Sequence, residues 1–174
     1  MSLKKIIGEL NLDLFLKKQK FDTEVKSEEV KGIGILFSAE SLLHQQSVTQ
    51  FYETLQRRYQ ENIHLFGYVP KKLENQVTFA FPHFSLSDVG IRPDFSRHKL
   101  ALFMQRRYRV CINLDVDNHK IIHYIMAKTI AQNKMGISPD YPALYNIIVK
   151  RDEQDELAFI IEKTLDIFEK TLAI

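Results

Sequence analysis

Apolar residues along this chain switch between two periods, and the switches mark its elements. From Lys4 to Lys20, Ile6, Ile7, Leu10 and Leu14, with Leu3 ahead of them, fall at helical spacing between lysines, which predicts an amphipathic helix. Phe21 to Lys31 is polar and charged and reads as a connector. Gly32-Ile-Gly-Ile-Leu-Phe37 is almost wholly apolar, as a parallel strand covered on both faces requires. After a polar loop, Ser47 and Gln50 have capping-box spacing, and Val48, Phe51, Tyr52, Leu55 and Tyr59 continue one helical face. Ile63 to Val69 predicts a strand and Pro70 to Asn75 a turn. Val77 to Phe81 then predicts a strand closed by Pro82 and paired antiparallel with its predecessor.

Asp94 is placed to cap a helix carrying Leu100, Phe103 and Met104, and Tyr108 to Val116 is the most apolar strand of the chain. Asp117 or Asn118 would cap a helix whose face is Ile121, Ile122, Ile125, Met126 and Ile130, with Gly136 at its exit. Leu144 to Val149 predicts a further strand. Asp155 opens a last helix with Leu157, Ile160, Ile161, Leu165, Phe168 and Leu172 on its buried stripe. Strands alternating with helices call for right-handed crossovers. The fold class is therefore α/β, a three-layer sandwich with a mostly parallel sheet of about five or six strands, helices on both faces and one antiparallel pair. Residues 1–31 form an N-terminal amphipathic helix and linker, and residues 32–174 a single α/β domain.

Composition refines this picture. With 174 residues, 45% of them hydrophobic and 26% charged, the chain is a globular domain that needs no disulfide to hold its core. Its one cysteine, Cys111, lies within the apolar run Tyr108 to Leu114 and reads as a small buried hydrophobe in a reducing compartment. No apolar run reaches membrane-spanning length and no signal-peptide core opens the chain, so the cytoplasm is the expected location. A net charge of +2 chooses no partner. Arg92, Arg97, His98, Lys99, Arg106, Arg107 and Arg109, with Phe84 and Phe95 nearby, have the make-up of a phosphate-contact patch. A basic helix face is more often hydrated surface, and a nucleic-acid partner is not expected. Lys4, Lys5, Lys17, Lys18 and Lys20 could rest the first helix on an anionic membrane. Docking on the domain or on a second subunit is the preferred reading, which makes a homo-oligomer through the terminal helices the expected assembly.

In parallel sheets ligands collect outside the carboxyl ends of the strands. The first strand ends in Ser38, Ala39 and Glu40, followed by a polar stretch holding His44, Gln45 and Gln46. In the later strand a period of two puts Cys111, Asn113, Asp115 and Asp117 on one face, opposite Val110, Ile112, Leu114 and Val116. Asn113 is an amide inside a core strand and must find a partner. Ser38, Glu40, His44, Asn113 and Asp115 are accordingly the candidate ligand-binding residues. Asp115, Asp117, His119 and His123 could supply metal ligands, the histidines one helical turn apart, but such groups commonly line a solvated helix edge, and neither a metal nor another cofactor is assigned. Gly32 and Gly34 precede their strand instead of following it. No Walker-type glycine loop, G-x-S-x-G, H-E-x-x-H or C-x-x-C occurs. The leading functional reading is a binding or interaction module with no visible catalytic machinery, holding a small polar ligand at the strand ends. The alternative is a glycosyltransferase-like or nucleotide-handling enzyme using Asp115, Glu40 or His44 as general acid or base.

Val30 to Ala39, Tyr108 to Asp115 with the helix after it, and Lys134 to Ser138 leading into Tyr145 to Ile148 resemble an uncharacterised family of small α/β proteins from Bacteroidetes-type bacteria. In that pattern the first stretch often ends in aspartate, where this chain has Ser38. The resemblance implies a fold and carries no activity. Ile112 to Asp115, Ala127 to Ala131 and Lys134 to Gly136 bear a fainter likeness to the N-terminal half of heptosyltransferase-like glycosyltransferases. Those enzymes hold a sugar nucleotide with a second α/β domain, for which 174 residues leave no room.

Overall fold

The computed structural model describes residues 3–22, 31–73, 79–88, 99–152 and 154–172. In chain order its elements are α1 (Leu3–Lys18), β1 (Ile33–Ser38), α2 (Leu42–Arg58), β2 (Ile63–Val69), β3 (His83–Ser85), α3 (Lys99–Gln105), β4 (Arg107–Asn113), α4 (Lys120–Lys128), β5 (Ile130–Ile137), β6 (Ile147–Val149) and α5 (Leu157–Leu172). They build one six-stranded sheet in the order β3-β2-β1-β4-β5-β6, and every pairing in it is parallel. The alternation of side chains across the central strands explains the layering. Ile33, Ile35, Phe37, Val110, Ile112 and Leu114 face a core that α2 and α5 close with Val48, Phe51, Leu55, Ile160 and Phe168. Leu36, Phe66, Tyr68 and Cys111 face the opposite core, closed by Leu16 of α1, Leu100 and Phe103 of α3, and Ile122, Ile125 and Met126 of α4.

The expected antiparallel pair is corrected. Residues 74–78 lie outside the described part, Phe79–Phe81 is not a strand, and β3 begins beyond Pro82 and runs parallel to β2. Phe81 instead acts as a packing plug. Its ring meets that of Phe37 at 4.9 Å and lies so close over Gly67 that a Cβ there would come within 2.5 Å of it.

Two boundaries also differ from the sequence reading. Helix α2 begins at Leu42, with the Ser41 hydroxyl accepting the His44 N–H at 3.1 Å. Ser47 is interior and donates to the Leu43 carbonyl. The apolar stripe could not show this start, because Leu42 and Leu43 are exposed. Helix α4 stops at Lys128, and Gly136 sits within β5 instead of marking a helix exit. Asp94, expected to cap α3, lies outside the described residues.

Candidate functional site

The chain leaves β1 toward β2 on one side of the sheet and returns through β4 on the other. The carboxyl ends of β1 and β4 therefore part at a topological switch point, where a crevice opens in sheets of this type. Ala39-Glu40-Ser41 leaves β1 on one side of it and Leu114 to His119 leaves β4 on the other.

Asp115 organises the second exit. It is fully buried. Its Oδ1 accepts the Asp117 N–H at 3.1 Å and faces His119 Nδ1 at 3.0 Å, while Oδ2 accepts the His119 N–H at 2.6 Å. Burial alone would raise the Asp115 carboxyl, but the hydrogen bonds and charge of His119 outweigh it and hold the group below the usual carboxylate range. Burial pulls the other way on His119, and there the Asp115 bond with the charges of Asp115, Glu40 and Asp117 prevails and raises the imidazole. His119 Nε2 points across the crevice to Glu40 Oε1 at 3.3 Å, and Tyr68 packs against its ring at 4.9 Å. The other oxygen of Glu40 meets the exposed Lys72 ammonium at 3.1 Å.

Two buried polar atoms here lack a partner: Ser38 Oγ and His44 Nε2. Ser38 lies beside the Asp115 carboxylate, near enough to favour its ionised form but outside normal hydrogen-bond geometry. His44 is driven toward its neutral form by burial, against the pull of Asp117, Asp115, the Leu114 carbonyl and Glu40.

Of the residues expected from sequence, Ser38, Glu40, His44 and Asp115 thus come together. Asn113 stands one step behind them: its amide donates to the Tyr145 hydroxyl at 2.9 Å and its carbonyl oxygen accepts the Asp115 N–H at 2.9 Å. His119 and His123 do not converge, although helical spacing puts them on one side. The His123 nitrogens are taken by the Tyr145 hydroxyl (2.8 Å) and Asn118 Oδ1 (3.1 Å), and burial lowers its pKa to about 4. The position expected for capping α4 belongs to His119, which makes no side-chain cap bond itself. The Asp115 carboxylate takes the His119 N–H instead. The sequence pairing of Asp115 with His119 four residues on was the available signal for this dyad; nothing in the sequence linked either to Glu40.

Other surfaces converge less. A cavity of about 460 Å³ against the first half of β2 and α3 is lined chiefly by apolar side chains such as Phe66, Phe81, Leu102 and Phe103, and its His64 and Arg106 bond to each other. In the basic patch, Arg109 is paired with Glu61 and stacks over Phe168, Phe84 is buried in the core, and residues 89–98 lie outside the described part.

Six parallel strands in this order, flanked by helices and with polar exits meeting at the switch point, define a doubly wound, Rossmann-like α/β domain. The chain belongs to a family of unknown function, DUF6913, whose profile matches residues 4–166. Two solved structures are similar at 13% identity over 80% of this chain: the E. coli heptosyltransferase WaaC with ADP, at a TM-score of 0.45, and the same enzyme with ADP-2-deoxy-2-fluoro heptose, at 0.47. The alignments span 47% and 48% of those chains, about half their length. No curated protein matches the chain.

Proposed function

We propose that this domain binds a small polar ligand, one bearing hydroxyl or amino groups, in the crevice between the carboxyl ends of β1 and β4. One observation carries the reading: Ser38 Oγ and His44 Nε2 are buried there without partners. A buried polar atom without a hydrogen bond costs about 1–3 kcal/mol, which a bound ligand's polar groups can offset. The acceptor-rich wall of Asp117 and Glu40 suits hydroxyl and ammonium donors better than bare phosphate.

The test is thermal unfolding with sugars, nucleosides, nucleotide sugars and small amines, all in chelator. A ligand at a hundred times its Kd raises stability by about 2.7 kcal/mol, roughly 5–10 °C for a domain of this size. We expect one chemical class to give such a shift and Glu40→Gln to abolish it. No shift with any class would sink the proposal.

A second reading, catalysis, is favoured by the dyad itself, because a buried carboxylate behind a half-exposed imidazole is how a general base is oriented. It predicts conversion of the bound compound, read by mass spectrometry, and loss of that conversion with retained binding in His119→Gln.

A further inference from the structure

We propose that Glu40, Asp117 and His119 bind one divalent first-row transition-metal ion across the crevice. This rests on reading the crevice as a ligand site and names what it holds. One ligand atom from each of the three residues lies within 4.8 Å of the others, and they come from two separate loops, after β1 and after β4. Metal bonds of about 2.0–2.2 Å would set neighbouring ligand atoms roughly 3.5 Å apart; Glu40 and His119 already stand 3.3 Å apart, and the exposed Asp117 side chain has to close the remainder. Glu40 has an oxygen for the purpose: Lys72 engages Oε2, while Oε1 faces His119 Nε2 at 3.3 Å.

Two further observations point to a metal beyond the clustering of acids. The first is the way His119 is held. Its Nδ1 lies 3.0 Å from Asp115 Oδ1 and its own N–H donates to Asp115 Oδ2, so a fully buried carboxylate fixes both ring and backbone. With Nδ1 held by Asp115, Nε2 is the nitrogen that faces Glu40, and a metal ion would take the place of its proton there. A carboxylate behind an imidazole whose other nitrogen faces acidic oxygens is the usual outer support of a histidine metal ligand. The second is His44, only 6% exposed. Its Nε2 has no partner, and the charges of Asp117, Asp115 and Glu40 all act on its ring. It lies outside the three-residue cluster and borders it as a buried, unpartnered polar group. A set of carboxylate oxygens and imidazole nitrogens without thiolate suits Mn, Fe, Co, Ni or Zn.

The experiment takes the purified full chain, stripped with EDTA, and titrates it with Zn²⁺ by calorimetry and with Co²⁺ by visible absorption. We expect one equivalent bound. Glu40→Gln and Asp117→Asn should each weaken binding roughly tenfold or more. Asp115→Asn, a positioning change, should weaken binding by roughly 10- to 100-fold while keeping the Co²⁺ bands. Should that variant fail to fold, the half-buried Glu40 still carries the test. No Co²⁺ band, or Glu40→Gln and Asp117→Asn binding Zn²⁺ as tightly as the unmodified chain, overturns the proposal. A ligand that shifts unfolding in EDTA while Zn²⁺ does not bind overturns the metal and leaves the crevice reading standing; Zn²⁺ bound with no organic ligand found does the reverse.

Discussion

Ser38 illustrates how a single side chain separates stability from function. Its hydroxyl is buried outside normal hydrogen-bond geometry, so Ser38→Ala removes an unsatisfied group and takes from Asp115 only a minor part of what favours its ionised form. The variant should unfold within about 0.5 kcal/mol of the parent in urea, or be more stable, yet lose the ligand-induced shift. A large loss of stability would mean that the hydroxyl is satisfied in solution. His123 sets a different expectation. Its ordinary pKa of 6.5 falls to about 4 in the fold because burial disfavours the charged ring. Below pH 6.5 the unfolded chain takes up the proton that the folded chain refuses. Its contribution is therefore complete above about pH 6.5 and is lost at up to about 1.4 kcal/mol per pH unit as pH falls toward 4. Urea melts at pH 7 and pH 5 should show this slope, and His123→Leu should flatten it. At this scale the sequence was informative about identity and silent about pairing. Asn113 could be recognised as needing a partner, but Tyr145, which supplies it, lies on a separate loop.

Elements were most legible where burial imposed a period. β2 matches its expected span, and β1 and α5 lie within about two residues of theirs, because both faces of a central strand and one face of a docked helix must be apolar. The misses fell where local signals competed. Ile130 continues the stripe of α4, so the helix and β5 merged in the sequence reading although Thr129 ends the helix. Gly136 owes its place in β5 to Tyr145: a Cβ at that position would meet the ring at 2.8 Å. Gly136→Ala should cost about 1–3 kcal/mol, measured by chemical denaturation, and disturb the ring that holds Asn113 and His123. Asn118 ties the α4 entry to the loop after β5. It adopts φ 53°, and its Oδ1 accepts the Asp140 N–H at 3.1 Å and meets His123 Nε2 at the same distance. Asn118→Ala should cost roughly 2–3 kcal/mol, from lost bonds and the left-handed backbone together. Asn118→Gly should recover only the backbone part, so the difference between the two variants measures that part and the residual cost of the glycine variant measures the bonds.

At the scale of the whole molecule, the three-layer class could be read from the alternation of strands and helices, and the direction of β3 could not, since a short edge strand carries little pattern of its own. β3 and β6 are three residues each, and such brief edges offer little template for pairing with another chain. Among the described residues no helix is long and apolar enough to cross a membrane. Among the residues whose side chains are described, the terminal helices leave outside Leu14 of α1 at 59% and Phe159 of α5 at 48% exposure, while Leu16, Ile160 and Phe168 are spent on the domain's own cores.

The place of β1 at the centre of the sheet has a kinetic consequence. Ile33 pairs with Val110 in β4, so β1, made well before β4, waits for more than a third of this sequence before one of its edges is covered. Closing so long a loop comes before the reward of pairing, and parallel sheets of this kind fold slowly for that reason. A fragment ending at residue 106 should show no cooperative melt and should aggregate, because Ile33, Ile35, Leu36 and Phe37, all fully buried in the complete chain, would sit on an open edge. Co-expression with the remaining segment should restore a soluble species, which would make β1 and β4 the seam along which this chain decides between folding and clumping.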